Sequence, residues 1–181
     1  MRTELRQRKL DRAFGHVDVN GEGEIGREDL LGLGARILVG FGESPTSVTG
    51  RKLVDSFDAI WSAVTAETGG GREGRLTREQ FHAGMAAAFI DGDRFEPVFR
   101  PAAQAVAELC DGDRDGRIGP AEFRTMLSAF GTSYDDIDAA FDRLDLDGEG
   151  TLAVGDLVAA SRQFYADDDP NAPGNWLYGP L

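Results

Sequence analysis

The chain has 181 residues and carries 32 acidic against 19 basic side chains, so its formal net charge is −13 at pH 7. This charge argues against nucleic acid or an anionic membrane surface as a partner, and no run approaches the roughly 20 apolar residues of a membrane span. The single cysteine excludes an internal disulfide, two histidines are too few for a zinc site, and the amino terminus lacks a secretory apolar core, which together favour a cytoplasmic protein.

The first predicted element is an amphipathic helix, because apolar side chains recur at three- and four-residue spacing. These side chains are Leu10, Ala13, Phe14 and Val17. Oxygen-bearing side chains then alternate from Asp18 onward, around a glycine at Gly23. This is the spacing of an EF-hand calcium loop, in which positions 1, 3, 5 and 12 offer side-chain oxygens and position 7 offers its carbonyl. The predicted ligands are Asp18, Asn20, Glu22, Glu24 (through its carbonyl) and Asp29.

A linker and an incomplete copy of the loop follow. Residues 40–47 are rich in glycine, serine and proline and precede the most apolar predicted helix. Its buried face is predicted to hold Val54, Phe57, Ile60, Trp61 and Val64. Residues 69–80 keep the loop register at Gly74 and Leu76, and Glu73 is the one carboxylate at a ligand position. Three ligand positions are lost, at Gly69, Gly71 and Gln80. We predict that this second loop is structural and binds no ion.

Two complete loops occupy the second half of the chain. Residues 91–97 contain Asp91 and Asp93 without the loop register, and we interpret them as a turn. The predicted ligands of loop three, residues 111–122, are Asp111, Asp113, Asp115, Arg117 and Glu122. Those of loop four, residues 145–156, are Asp145, Asp147, Glu149, Thr151 and Asp156. Arg117 and Thr151 would contribute backbone carbonyls. The helix before loop four has its own apolar face, formed by Ile137, Ala140, Phe141 and Leu144.

Calcium is the expected cofactor, at three sites. Aspartate and glycine also cluster in solvated turns, but three copies in one register favour ion binding. Glu122 can reach an ion with both carboxylate oxygens, whereas Asp29 and Asp156 are one methylene shorter. Magnesium tolerates fewer protein ligands, so we expect it to compete at the two loops that end in aspartate. Positions 9 carry no side-chain oxygen, so water or backbone is expected to complete each site.

Four repeats predict an all-α fold with two EF-hand pairs and short β-bridges between paired loops. Position 8 should place Ile25 opposite Leu76 and Ile118 opposite Leu152. Ser133 and Thr77 stand where helix N-caps are expected. The predicted units are an N-terminal pair at 1–90, a C-terminal pair at 91–168, and a tail at 169–181 docked between the halves. The apolar cluster of that tail is Trp176, Leu177 and Tyr178.

A calcium buffer is the function that we expect. A sensor profits from a Met-rich groove, and beyond Met1 this chain has only Met85 and Met126. Buffers and sensors share ligand chemistry, however, so a sensor that exposes apolar surface to a protein target remains the alternative. No phosphate loop, dinucleotide loop or nucleophile–base motif is found, so we predict no enzyme activity and no catalytic residue. A monomer is expected.

The residues described above resemble the long-linker four-EF-hand proteins, which comprise sarcoplasmic calcium-binding proteins and bacterial calerythrins. The resemblance rests on three complete loops with an incomplete second one, and on the ending from Asp169 to Leu181. It implies a compact fold with face-to-face halves, calcium carried by the loops that begin at Asp18, Asp111 and Asp145, and a role as a calcium buffer. The arginine-rich, lysine-poor composition leans towards a bacterial member.

Overall fold

The structure is a computed structural model that describes residues 2–70 and 74–181. Its helices are α1 (Arg2–Val17), α2 (Arg27–Gly40), α3 (Val48–Thr68), α4 (Arg78–Met85), α5 (Arg100–Cys110), α6 (Pro120–Ala129), α7 (Tyr134–Leu144) and α8 (Val154–Ala166). Its strands are β1 (Glu24–Gly26), β2 (Arg75–Thr77), β3 (Arg117–Ile118) and β4 (Leu152–Ala153). The predicted all-α fold is confirmed. Among the described residues, no helix is long and apolar enough to cross a membrane.

The loops pair through two short antiparallel ladders. In the first ladder, β1 and β2 place Ile25 opposite Leu76. In the second, β3 and β4 place Ile118 opposite Leu152. Both predicted registers are confirmed, and all four side chains are buried. Each ladder therefore ties two loops back to back and aligns the helices that flank them.

The core follows the predicted apolar faces. Every predicted position on α1 and α7 is buried, while Val54 on α3 is only partly buried, unlike its predicted neighbours. An edge-to-face pair of Phe14 and Phe81, with centroids 5.6 Å apart, joins α1 to α4. Phe123 and Phe141 form a similar pair at 5.4 Å between α6 and α7. Matching aromatic contacts therefore hold the helices of each loop pair together.

Helix ends match several sequence signals. Thr77 and Ser133 accept hydrogen bonds from backbone N–H groups at the starts of α4 and α7, so both predicted N-caps are confirmed. The turn around Asp91 lies between two π-helical turns, Ala86–Ile90 and Phe95–Phe99, that the sequence did not predict. These turns carry buried Phe89, Phe95 and Phe99 into the core.

The carboxyl-terminal tail packs on helices from both ends of the chain. Leu177 and Tyr178 are buried, and the Tyr178 ring contacts His16 of α1, Phe130 and Phe164. The two phenols of Tyr165 and Tyr178 share a hydrogen bond of 3.0 Å. On the outside, the Arg12 guanidinium donates to the carbonyls of Tyr178 and Pro180 at 2.5 and 2.7 Å. The tail is thus held by aromatic packing and by hydrogen bonds from the charged Arg12 side chain.

Candidate metal centres

The residue at position 12 of each loop closes the start of the helix that follows. Asp29, Glu122 and Asp156 each accept the backbone N–H of position 9, at 2.7, 2.8 and 3.2 Å. In loop two the amide oxygen of Gln80 accepts the Thr77 N–H in the same way, at 3.0 Å. One carboxylate oxygen therefore caps the helix in each complete loop. The other oxygen of Glu122 accepts the Gly112 N–H at 3.4 Å.

Position 1 gives the clearest sign of a cation site in loops three and four. One oxygen of Asp111 accepts the Gly116 N–H at 3.0 Å, and one oxygen of Asp145 accepts the Gly150 N–H at 2.9 Å. The other oxygen, Oδ1 in both residues, is buried and has no hydrogen-bond partner among the described residues. A buried carboxylate oxygen without a partner is costly, and a bound cation satisfies it. The donor set of these loops therefore fits a hard divalent ion.

Loop three brings its first three acids together. One carboxylate oxygen each from Asp111, Asp113 and Asp115 lies within 4.8 Å of the other two. Asp113 and Asp115 each also accept a backbone N–H two residues further on, at 3.2 and 2.7 Å. These local bonds fix the carboxylates without neutralising them, so the loop holds a concentrated negative charge.

Loop four has the same internal bonds but a different position 5. Asp147 accepts the Glu149 N–H at 3.1 Å, and this bond is the main reason that the pKa of Asp147 is lowered. The Glu149 carboxylate pairs with Arg117 of loop three. Arg117 also donates from Nε to the Thr151 hydroxyl at 2.8 Å. Loops three and four are therefore linked by side chains as well as by their ladder.

Loop one is arranged differently at position 1. Both oxygens of Asp18 accept backbone N–H groups, from Glu22 at 3.0 Å and from Gly23 at 3.1 Å. Asn20 also accepts the Glu22 N–H, at 3.2 Å. Asp18 thus lacks the unpartnered oxygen that marks Asp111 and Asp145. An ion in loop one would therefore share the Asp18 carboxylate with these N–H groups, since each oxygen has a second lone pair.

Loop two keeps its structural residues. Gly69 ends α3 in the left-handed region at φ 71°, and Gly74 has φ 75°. Leu76 forms the ladder and Gln80 caps α4. Gly71 and Glu73, which the sequence analysis also names, lie outside the described residues.

Two arginines at position 7 contact the metal loops through side chains that the sequence analysis did not consider. Arg75 of loop two lies against loop one, and Arg117 of loop three lies against loop four. In each case the arginine pairs with the glutamate at position 5, Glu22 or Glu149. The signal was present in the sequence, because back-to-back loops place position 7 of one loop beside the acids of the other.

A small apolar cavity lies in the core between the helices that flank the loops. It has a volume of about 80 Å³, and its wall includes Trp61, Met85, Met126 and Tyr178. His16 also lines it, and its buried Nδ1 has no hydrogen-bond partner among the described residues. Burial, together with the charges of Arg12 and Arg36, lowers the pKa of His16 to about 3. This imidazole is therefore neutral at physiological pH.

Comparisons with known proteins agree with the loop geometry. The EF-hand family pattern matches residues 109–127, which contain loop three. Calerythrin from Saccharopolyspora erythraea is 29% identical over 167 residues, covering 91% of this chain and 94% of that protein. Obelin from Obelia geniculata is 26% identical over 170 residues, covering 92% of this chain and 85% of that protein.

A solved structure supports the same relationship. It belongs to a Streptomyces coelicolor calcium-binding protein that is described in terms of prokaryotic calcium-mediated regulation. That protein is 29% identical, covers 91% of this chain and 99% of its own, and superposes with a TM-score of 0.75. Together with the loops described above, these likenesses indicate a calcium-binding EF-hand protein that is similar to calerythrin.

Proposed function

We propose that the chain is a calcium buffer with three sites, at residues 18–29, 111–122 and 145–156. The observation that carries the proposal is the pair of buried, unpartnered Oδ1 atoms at position 1 of loops three and four. Loop one shares their ligand types and its helix cap, while loop two lacks the acids and is proposed to bind no ion. The proposal assigns no catalytic residue.

The proposed ligands would act through charge and position. Bound calcium would supply positive charge at each acid cluster, and three divalent ions add six charges that bring the chain from −13 to −7. The position 12 acids hold both the helix end and the ion, so ion binding and helix order are coupled. We propose that magnesium competes at the loops ending in Asp29 and Asp156, which are shorter than Glu122.

Buried methionines support a buffer over a sensor. Met85 and Met126 both line the core cavity and are 2% exposed, so neither contributes to a surface groove. The tail residues Leu177 and Tyr178 cover part of the same interior. The proposal therefore describes a monomer in the cytoplasm that holds calcium without presenting apolar surface.

A sensor is the second candidate. The observation that favours it is the core cavity, because an interior with unfilled space and two flexible methionines can rearrange at low cost. The related Streptomyces protein is described in terms of calcium-mediated regulation. In that case calcium would move the tail or the helices and expose apolar side chains to a protein partner.

Calorimetric titration of chelator-treated protein with calcium, at fixed magnesium, tests the site count. Three variants, Asp29→Asn, Glu122→Gln and Asp156→Asn, each remove a charge while keeping an oxygen that can cap the helix, as Gln80 does in loop two. Each should lose one of three calcium ions. Asp91→Asn, in the turn outside the loops, is the matched control and should keep all three. Unchanged stoichiometry in a loop variant contradicts the assignment of that loop.

A hydrophobic dye in the same titration separates the two functions. Dye fluorescence that falls as calcium binds supports a buffer that closes on its ions. Rising fluorescence supports a sensor, and a calcium-dependent complex with a defined protein would then replace the buffer proposal.

A further inference from the structure

We propose that Arg75 and Arg117 set the calcium affinity of the neighbouring loop, each acting as a fixed positive charge that competes with calcium for the glutamate at position 5. The inference rests on the proposed function and concerns what sets the calcium affinity of the proposed sites. The two arginines occupy the same position 7, in loops two and three, and each reaches across its ladder to the partner loop.

Arg75 is surrounded by the acids of loop one. Its Nη2 lies 3.2 Å from Glu22 and 3.6 Å from Asp29, which are the proposed ligands at positions 5 and 12. It also approaches Glu28 at 3.4 Å and donates to the Glu24 carbonyl at 2.8 Å. That carbonyl is itself the proposed position 7 ligand. One guanidinium thus contacts three of the five proposed ligand residues of loop one.

Position 7 lies on the paired strand in both loop pairs, so an arginine there can reach the acids across the ladder. The Arg75 side chain is 29% exposed, so water screens its charge only in part. Loop two, which is proposed to bind no ion, therefore places the positively charged Arg75 guanidinium beside loop one.

The second pair repeats the contact. Arg117 pairs with Glu149 and donates to the Thr151 side chain, and its own side chain is 35% exposed. The two glutamates are alike as well, since Glu22 is 61% and Glu149 is 62% exposed. The same arginine–glutamate contact occurs in both loop pairs, which indicates that the pairing of the loops produces it. Because Arg117 belongs to loop three, it also makes the affinity of loop four depend on loop three.

The sign of the effect follows from charge. Calcium at loop one must share Glu22 and Asp29 with a guanidinium, so removal of that charge should tighten calcium binding. Exposed ion pairs contribute about 0.2–1 kcal/mol each. The two pairs share one guanidinium and are not fully additive, so together they correspond to about 0.4–1.4 kcal/mol, a two- to tenfold change in Kd. In chelator, by contrast, Arg75 offsets repulsion among the acids. Its removal should therefore lower the melting temperature of the metal-free protein.

Arg75→Gln tests the inference in the full chain, in a background where Glu122→Gln and Asp156→Asn silence loops three and four. Calorimetry should give a two- to tenfold lower calcium Kd for loop one, and a lower melting temperature in chelator. Arg75→Lys, which keeps the charge, should stay close to the parent. Arg78→Gln is the matched control, because Arg78 is also in loop two but pairs with Asp11 of α1 at 3.3 Å instead of with a proposed ligand. High salt should shrink the gain from Arg75→Gln.

A purely structural arginine would behave differently, since its loss would weaken calcium binding together with stability. Weaker binding in Arg75→Gln, or a Kd equal to that of Arg78→Gln, overturns the inference at loop one. Arg117→Gln, measured with loops one and three silenced, applies the same criterion to loop four. If loop one of the parent binds no calcium, the three-site proposal fails, and the Arg117 result then decides the inference alone.

Discussion

Protonation of His16 should make this protein lose stability in mild acid, and His16→Gln should remove that loss. The folded pKa of His16 is lowered to about 3, whereas an unfolded histidine titrates near 6.5. Below pH 6.5 His16 therefore binds a proton in the unfolded chain but not in the folded chain. Above pH 6.5 His16 is neutral in both states and does not reduce the free energy of unfolding. That free energy decreases as the pH falls from 6.5 towards 3.

The magnitude follows from the two pKa values. At pH 5 the unfolded state gains about 2 kcal/mol from this one proton, because the difference grows by about 1.4 kcal/mol for each pH unit below 6.5. The imidazole lies against Phe130 and Tyr178, with centroids 5.2 and 4.5 Å away, and Arg12 and Arg36 add repulsion to the burial. No compensating carboxylate is among the causes of its shift.

Urea unfolding at pH 7 and pH 5, at one calcium concentration, measures the effect. Calcium affinity also depends on pH, so the informative quantity is the difference between the parent and His16→Gln. The parent should lose about 2 kcal/mol more of its unfolding free energy than the variant. Equal losses in the two proteins would show that His16 is protonated in the folded state, contrary to its burial.

Three further changes have expected outcomes. Lys9→Met should lower the free energy of unfolding by about 1–3 kcal/mol in thermal melting, because the buried Lys9 amine donates to two carbonyls at the end of α8. Lys52→Met, at an exposed ion pair, is the control and should change it by no more than about 0.5 kcal/mol. Gly174→Ala should release the tail and raise dye binding, since a Cβ there would lie 2.4 Å from the Ala160 carbonyl, while Gly155→Ala, with open space around it, should not. Asp156→Glu should let a second carboxylate oxygen reach the ion in loop four, which favours calcium over magnesium. Calcium titrations with and without magnesium should therefore show less competition by magnesium in this variant than in the parent.

Local regularities made much of the fold predictable. The twelve-residue loop template fixes which side chains face each other, and so Ile25 met Leu76 and Ile118 met Leu152 as expected. Helical periodicity identified the buried faces of α1 and α7, and single hydroxyl residues identified the caps at Thr77 and Ser133. These features depend on residues close together in the chain, where spacing alone carries the information.

Features that depend on distant residues were not predictable in this way. Lys9 and His16 are polar residues on an otherwise ordinary helix, and their burial results from α8 and the tail folding over them. The contact between Arg75 and Glu22 spans 53 residues and needs the ladder to be known first. The ligand roles of the loop residues remain predictions, since side-chain chemistry indicates which oxygens suit calcium but not how tightly it is held.

The lone thiol gives this protein a natural reporter of local opening. Cys110 is fully buried at the end of α5, directly before Asp111, and burial raises its pKa. A thiol reagent attacks the thiolate, so modification must wait until this hand opens and lets the sulfur ionise. The rate of labelling, measured as calcium is added, would therefore record how firmly ion binding locks the loop-three helices, without any engineered probe.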